Sequence, residues 1–292
     1  MGENSEIASK NYLSLLNAWN DVEIVTDGRR VKTDYSFLSP QHALDIHQRM
    51  FRMTETVFND AKPRATADIG DGIRITAQKA PLVDAEVGVA SSIRKVNMQV
   101  ISRESLISGK GITQMMFDLL LLCVRHGVSM CISGETGTGK TTLAGCILSM
   151  AAQTLRIYTI EEGSREWDFV VRDENGHPQN SVIHTRTRPN EDNPSLNIDQ
   201  EALAKDSLRY DPDIIAPGET RGREAYEIMS ISNTGHVVVT TIHANNTEDT
   251  PTRIVALAKK AFDMSDNTLF EMASKAFPLL VHCEKTATTK DV

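Results

Sequence analysis

The sequence predicts an α/β protein whose second half forms a mostly parallel sheet and whose first half is a smaller α+β domain. Its length supports this division, because 292 residues are enough for about two domains. In the second half, continuous apolar segments alternate with helical patterns, which is typical of strands that helices bury on both faces. In the first half, short alternating segments flank a glycine-containing turn, as they do in antiparallel hairpins.

The first domain is assigned to residues 1–103. The segment 39–58 begins with Ser-Pro and spaces its apolar residues at helical intervals, so it predicts a helix. The segment 64–80 contains "GDG" between two alternating stretches and predicts a β-hairpin, and the segment 86–96 predicts another strand. A polar stretch with two glycines follows and predicts a linker at residues 104–113.

The second domain is assigned to residues 114–292, where strands and helices alternate. Each predicted strand is an apolar stretch with no polar alternation, as expected for a parallel sheet covered on both faces. The long polar stretch 171–200 is interpreted as an inserted excursion that contains a hairpin. Strands are predicted over 128–133, 155–162, 213–219 and 236–243, and helices over 114–127, 140–153 and 222–234.

Composition and charge argue against several classes of function. With 40% hydrophobic and 24% charged residues, the chain has the make-up of a globular protein. Its formal net charge of −8 disfavours a dedicated nucleic-acid-binding protein, which normally carries a basic excess. The sequence contains no stretch of about 18 apolar residues, so it predicts no membrane-spanning helix. The four cysteines are far apart and form no CxxC pair, so they predict reduced thiols and no zinc site. They are Cys123, Cys131, Cys146 and Cys283.

The segment "SGETGTGKTT" at residues 133–142 carries the strongest chemical signal. It fits G-x-x-x-x-G-K-[ST], with a predicted strand before it and a predicted helix after it. Glycines let the backbone curl so that successive N–H groups point at an anion, and the helix adds its positive N-terminal end. The segment therefore predicts a site for ATP or a close relative, with Mg²⁺. The predicted nucleotide-binding residues are Gly134, Glu135, Thr136, Gly137, Thr138, Gly139, Lys140, Thr141 and Thr142.

Hydrolysis of a phosphoanhydride also needs a group that positions or activates water. In a doubly wound sheet such groups lie at the carboxyl ends of strands beside the phosphate loop. Glu161 and Glu162 end one predicted strand, Glu219 ends the next, and His243 ends the last. An arginine could stabilise the charge that develops on the γ-phosphate. Spacing alone does not single one out among Arg74, Arg94, Arg186, Arg188, Arg221 and Arg223.

Taken in order, these motifs resemble those of the type II/type IV secretion ATPases, which drive pili, conjugation and type II secretion. "GETGTGKTT" resembles the phosphate loop of that family, and "YTIEE" resembles its aspartate box. "LAKDSLRYDPDIIAPGETRGREA" resembles its second nucleotide motif, and "TGHVVVTTIHANN" its histidine box. Judged by "TRP" and "HANN", the chain most resembles the tight-adherence and conjugation branch of the family. The resemblance implies a RecA-like P-loop NTPase domain preceded by a smaller α+β domain.

The resemblance also implies roles for individual residues. Lys140 and Thr141 would hold the phosphates and Mg²⁺, with Glu161 near the metal and the attacking water. Glu219 matches the glutamate thought to activate water, and His243 the histidine that reports on the γ-phosphate. Arg94 and, as a second candidate, Arg74 match arginines of the first domain that reach the nucleotide when the two domains close. Arg221 matches an arginine to which no chemical step is assigned.

Three positions depart from the family pattern. Glu162 replaces the usual aspartate of the acidic box, and Arg165 stands where a trailing acid is expected, with Glu166 one place later. Pro217 lies inside a predicted central strand, where it would either bend the strand or occupy a position that needs no N–H donor.

The resemblance further implies a homohexameric ATPase in the cytoplasm, peripheral to the inner face of the cell membrane. Its implied partners are membrane platform proteins of a secretion or pilus system. It also implies further strands after "HCEKTATTKDV", so the chain is expected to be a shortened form. Two alternatives stay open at this point. One is a RecA-like DNA translocase or helicase, and the other is a nucleotide-binding assembly scaffold that cycles ATP slowly.

Overall fold

A computed structural model describes residues 12–26, 29–54, 56–70, 72–95, 101–163, 165–188 and 194–285. The chain divides into two compact units, named here the N-terminal and the C-terminal unit. The N-terminal unit comprises Met1–Met98 and Gly163–Glu166, and the C-terminal unit comprises Gln99–Glu162 and Trp167–Val292.

The N-terminal unit is built on a six-stranded antiparallel sheet. The strands lie in the order β3-β2-β1-β6-β5-β4. One helix packs on the sheet through Ala43 and Phe51, which share a core with Ile75. The elements are β1 Tyr12–Ala18, β2 Asp21–Thr26, β3 Arg29–Lys32, α1 Pro40–Arg52, β4 Arg64–Asp68, β5 Ile73–Lys79 and β6 Val89–Lys95.

The sequence predictions for this unit are confirmed in their main features. Helix α1 begins after Ser39, whose side chain accepts a hydrogen bond from the His42 N–H, but it ends at Arg52 and not at residue 58. The hairpin predicted over 64–80 is β4 and β5, and the strand predicted over 86–96 is β6. Strands β1 to β3 were not predicted. The β1 sequence YLSLLNA contains no β-branched residue, so its pairing with β2 and β6 decides its conformation.

The segment predicted as a linker at 104–113 contains part of a helix, α2 Arg103–Ser108. The Ser102 side chain caps α2 by accepting from the Ser105 N–H. Leu106 and Ile112 pack against the core of the C-terminal unit. This segment therefore packs on the C-terminal unit. Its polar composition had instead predicted a linker.

The C-terminal unit is built on a six-stranded sheet in which every pairing is parallel. The strands lie in the order β12-β7-β11-β10-β8-β9. Outside the excursion 171–200, every strand and helix predicted between residues 114 and 243 is present, with ends that differ by a few residues. The elements are α3 Gln114–Arg125, β7 Met130–Gly134, α4 Lys140–Ala151, β8 Ile157–Glu161, β9 Val182–Arg186, α5 Gln200–Ser207, β10 Ile214–Pro217, α6 Glu224–Asn233, β11 Val237–Ile242, α7 Asp249–Ala258, α8 Asp266–Ala276 and β12 Leu279–Cys283.

Two hydrophobic cores cover the parallel sheet. Consecutive residues of one strand belong to different cores. Ile157 and Ile214 lie in one core, and the residues that follow them, Tyr158 and Ile215, lie in the other. Alternation of side chains along a strand therefore places apolar groups on both faces, which explains the continuous apolar segments in the sequence. Within the described residues, no helix is both long and apolar enough to cross a membrane.

The excursion 171–200 differs from its prediction. Its principal element is β9, which pairs in parallel with β8 at the edge of the sheet from Val182 opposite Ile157 to Arg186 opposite Glu161. Antiparallel pairing in this stretch is limited to two isolated bridges among the described residues, Arg172 with Pro178 and Arg188 with Ile198. The predicted hairpin is confirmed only in a short form: the Asp173 N–H donates to the His177 carbonyl and the Gln179 N–H to the Val171 carbonyl around the Arg172–Pro178 bridge. The open edge of the parallel sheet pairs with the strand that follows.

Pro217 is accommodated without the loss of a strand pairing. It is the last residue of β10 and lies opposite Ile160 of β8. The pairing of β10 with β11 involves Ile214 and Ile215 only, and the next N–H, that of Gly218, donates to the Ile160 carbonyl at 2.8 Å. Pro217 therefore occupies a position that needs no N–H donor.

Candidate nucleotide-binding site

The phosphate loop, residues 134–141, joins the buried strand β7 to helix α4. Three of its glycines have positive φ: 147° at Gly134, 74° at Gly137 and 92° at Gly139. A Cβ atom added at Gly134 would overlap the carbonyl oxygen of Cys283, at the end of the neighbouring strand β12. The loop therefore requires glycine, most strictly at its first position.

Helix α4 begins at this loop without a side-chain cap. Its N-cap residue is Gly139, and no side chain of the described residues accepts from its first N–H groups. Several other helices do carry such caps, provided by Ser39, Thr113, Asp199 and Ser265. The uncapped N–H groups and the positive end of α4 are thus available to an anion.

Lys140 is the buried cation of the site. It is 6% exposed, and its Nζ donates to the Glu135 carbonyl at 2.7 Å and lies 3.5 Å from Nδ1 of His243. Burial lowers the pKa of the Lys140 ammonium, and the nearby Glu219 carboxylate opposes that shift. An ammonium held against a backbone carbonyl can exchange this acceptor for a phosphate oxygen.

A line of charged groups leads from Lys140 to the ends of β8 and β10. Since an ammonium can only donate, Nδ1 of His243 accepts from Lys140, and the imidazole proton is on Nε2. That nitrogen lies 2.9 Å from Glu219 Oε1, a close contact without the angle of a hydrogen bond. The other oxygen of Glu219 accepts from Arg221, which also pairs with Glu162 at 3.0 Å. The structure thus brings together Lys140, His243 and Glu219, three residues that lie far apart in the sequence.

Glu161 is 3% exposed and lies at the end of β8. Its Oε2 accepts from the Trp167 N–H at 3.1 Å. The indole of Trp167 donates to the Thr141 carbonyl in the first turn of α4 at 3.2 Å. Trp167 thereby links the two residues predicted to hold Mg²⁺. Trp167 was not predicted as a site residue, because its contacts with Glu161 and Thr141 exist only in the folded chain.

The remaining loop residues have structural contacts as well. Thr138 donates its hydroxyl to the Glu135 carbonyl at 2.9 Å, which closes the turn. A Cβ atom added at Gly137 would lie 3.4 Å from Nζ of Lys285, so a second lysine stands beside the loop. No sequence signal pointed to Lys285, because only the pairing of β12 with β7 brings the end of β12 to the loop.

The arginines predicted from the first domain lie in the N-terminal unit. Arg94 is on β6, and its Nη2 is 3.5 Å from Glu166 Oε1. Arg74 is on β5, with its Nε 3.6 Å from Asp68 Oδ1. Their approach to a nucleotide stays a prediction. Arg223 pairs with Glu201 at 2.8 Å.

The residues fit a nucleoside triphosphate with Mg²⁺. A loop that only glycine can form, an uncapped helix end and a buried lysine match the charge of a phosphate chain. Hydroxyl and carboxylate oxygens, the donor types of Thr141 and Glu161, suit Mg²⁺ when phosphate oxygens and water complete the coordination.

Comparison with known proteins identifies a family. The profile of the family described as "Type II/IV secretion system protein" matches residues 66–291. The uncharacterized protein MJ0900 of Methanocaldococcus jannaschii is 31% identical over 188 residues, 64% of this chain and 32% of that protein. The conjugal transfer protein TrbB of Rhizobium radiobacter is 28% identical over 240 residues, 80% of this chain and 67% of TrbB. The type IV pilus assembly ATPase PilB of Pseudomonas aeruginosa is 28% identical over 222 residues, 73% of this chain and 36% of PilB. The chain thus spans about one third to two thirds of the length of these relatives.

Solved structures agree on the fold. The pilus retraction motor PilT with bound ADP aligns with a TM-score of 0.65 at 20% identity, covering 96% of this chain and 75% of that chain. The ATPase DotB of Legionella pneumophila aligns with a TM-score of 0.59 at 18% identity, covering 87% of this chain and 67% of DotB. The predicted architecture, a RecA-like α/β domain preceded by a smaller α+β domain, is confirmed.

Proposed function

Because this chain belongs to the type II/IV secretion system protein family, we propose that it is an ATPase that powers secretion, pilus assembly or conjugative transfer. The observation that carries the proposal is the line from Lys140 through His243 to Glu219 beside an uncapped helix end. The His243 imidazole thus contacts both a phosphate-binding cation, Lys140, and a candidate base, Glu219. The relatives TrbB and PilB, a conjugal transfer protein and a pilus assembly ATPase, support this class of function.

Each residue of the site has a proposed part in hydrolysis. The N–H groups of the phosphate loop and the Lys140 ammonium bind the β- and γ-phosphates of ATP. Bound Mg²⁺, held through Thr141 and Glu161, would offset negative charge on the phosphates. As the water oxygen bonds to the γ-phosphorus and the bond to the ADP oxygen breaks, Glu219 accepts a proton from that water, and His243 lies beside the Glu219 carboxylate at 2.9 Å. His243 also contacts Lys140, so it links the base to the group that binds the γ-phosphate.

The finer features rest on the family resemblance and remain proposals. The chain assembles as a homohexamer at the cytoplasmic face of the cell membrane and acts on membrane platform proteins of a secretion or pilus system. Arg94 reaches the phosphates when the two units close on the nucleotide, and closure excludes water. Hydrolysis then lets the units reopen, which supplies the mechanical step.

One observation favours a second candidate, an assembly scaffold that binds ATP and hydrolyses it slowly. Arg221 contacts both Glu219 and Glu162. A guanidinium that neutralises the candidate base weakens it as a proton acceptor. A scaffold would keep this pairing with nucleotide bound, whereas a motor would release Glu219 from Arg221 as the site fills.

The test measures nucleotide affinity by calorimetry and phosphate release by a colorimetric assay. Lys140→Ala is expected to lose both binding and turnover. Glu219→Gln is expected to bind a non-hydrolysable ATP analogue normally while its turnover falls about 100-fold or more. Lys275→Ala and Glu271→Gln, which alter an exposed pair on α8, serve as matched controls.

Each result separates the candidates. Unchanged turnover in both Lys140→Ala and Glu219→Gln would reject the ATPase. A wild-type protein that binds ATP tightly and releases no phosphate, while Arg221→Gln begins to do so, would favour the scaffold.

A further inference from the structure

His184 lies behind Glu161 and has no part in the function described so far. It is on the edge strand β9, directly opposite Thr159 of β8, and its side chain is 7% exposed. Residues paired across two strands point to the same face of the sheet, and so does Glu161, two residues after Thr159. The parallel pairing thus places an imidazole, a hydroxyl and the acidic-box carboxylate in one buried row.

We propose that His184 is a positioning residue that orients Glu161 through the Thr159 hydroxyl. The inference rests on the proposed ATPase function, because it assigns a support to one of its acidic groups.

The direction of the hydrogen bonds follows from their partners. The Phe169 N–H can only donate, and it lies 3.3 Å from Nε2 of His184, so Nε2 is the acceptor. In the neutral ring the proton is then on Nδ1, which lies 2.9 Å from the Thr159 hydroxyl. That hydroxyl accepts from His184 and keeps its own proton for Glu161 Oε1, at a long 3.5 Å. Asp168 Oδ1 lies 3.8 Å from Nε2, beyond hydrogen-bond distance, so the donors of His184 and Thr159 both point toward the Glu161 carboxylate.

Further contacts fix the ring and the carboxylate. The Phe169 ring lies between His184 and Trp167, with centroid distances of 5.7 and 5.5 Å. Trp167 donates to Oε2 of Glu161, so the two oxygens receive donors from different elements. Nδ1 of His184 is also 3.7 Å from Oε1. Donors on both oxygens restrict the rotamer of the buried Glu161 carboxylate, and they therefore orient it to bind a metal ion or a water molecule.

The first experiment separates catalysis from binding. His184→Ala is expected to lower kcat on the order of 10-fold, while the affinity for a non-hydrolysable ATP analogue stays within about twofold. His184→Asn, whose amide nitrogen can donate to Thr159 and whose amide oxygen can accept, is expected to restore most of kcat. His177→Ala, an exposed histidine in the same excursion, is the matched control.

Thr159→Val tests whether the Thr159 hydroxyl connects His184 to Glu161. The substitution removes the hydroxyl at nearly constant volume, so it is expected to lower kcat as His184→Ala does. The double variant is expected to lose no more than the worse single variant, because both remove the same support. Additive losses, or a His184→Asn variant that folds and behaves as His184→Ala, would overturn the proposal.

The tautomer gives a readout that needs no activity. NMR of protein labelled with ¹⁵N-histidine reports which ring nitrogen carries the proton, and the signals of His184 are identified by their loss in His184→Asn. The proposal requires a proton on Nδ1 of His184 and none on Nε2. The opposite tautomer rejects the proposal even if the wild-type protein proves inactive. If turnover depends on Lys140 and Glu219 but His184→Ala leaves kcat unchanged, this inference fails and the proposed ATPase function stands.

Discussion

The two units each carry six strands, yet they distribute their polar groups in opposite ways. In the N-terminal unit, β4 alternates exposed and buried residues, and its buried residues belong to one hydrophobic core on one face of the antiparallel sheet. In the C-terminal unit, β7, β8 and β10 are buried along their whole length. A strand covered on both faces leaves few exposed positions for charged groups other than its ends. The candidate chemistry of this protein therefore collects at the carboxyl ends of the parallel strands, where Glu161, Glu219 and His243 lie.

Two glycines with positive φ offer the sharpest way to test this contrast. Gly134→Ala places a Cβ atom against the backbone of β12, whereas Gly70→Ala, in the N-terminal hairpin, meets nothing within 4 Å. A shifted phosphate loop loses charge-assisted hydrogen bonds worth about 1.5–3 kcal/mol each. We expect nucleotide affinity to fall roughly 100-fold or more in Gly134→Ala. Calorimetric titration should find Gly70→Ala near wild type, and equal losses in both variants would contradict the assignment of the loop.

Core truncation compares the two sheets with matched substitutions. Ile75 in the N-terminal unit and Ile132 in the C-terminal unit are both fully buried. Ile75→Ala and Ile132→Ala are each expected to lower the free energy of unfolding by about 2–5 kcal/mol. Only Ile132→Ala, in the strand that leads into the phosphate loop, should also weaken nucleotide binding. Chemical denaturation and titration on the same samples measure both quantities. A loss of affinity in Ile75→Ala with none in Ile132→Ala would reverse the comparison.

A buried histidine gives the N-terminal unit a smaller, pH-dependent contribution. Burial lowers the pKa of His47, whose Nδ1 donates to the Ala43 carbonyl and whose Nε2 lies 2.8 Å from the Ser91 hydroxyl. The folded state favours the neutral ring, so the contribution is complete above about pH 6.5 and is lost as the pH falls through the lowered pKa. Within that window the free energy of unfolding should fall by up to about 1.4 kcal/mol per pH unit. Denaturation of wild type and His47→Gln between pH 8 and 5 isolates the effect, and parallel curves would reject it.

Prediction from sequence succeeded where the signal was local. Ser39 before a proline located the start of α1, and "GDG" located the hairpin of β4 and β5. It failed where a distant strand made the decision. Strand β1 has little propensity of its own, and β9 forms because β8 presents an open edge. Residues such as His184 and Lys285 gave no local signal, since their surroundings exist only after the strands pair.

The sequence by itself determined that a glycine-rich turn joins a buried strand to an uncapped helix. That turn depends on a few consecutive φ angles, on Lys140 and on the N–H groups that follow, all close together in the chain. Only the tertiary structure decided that Glu219 lies against His243, that Pro217 needs no donor and that His184 faces Thr159. Those relations depend on strand order and register, which long-range burial of both faces of the sheet selects.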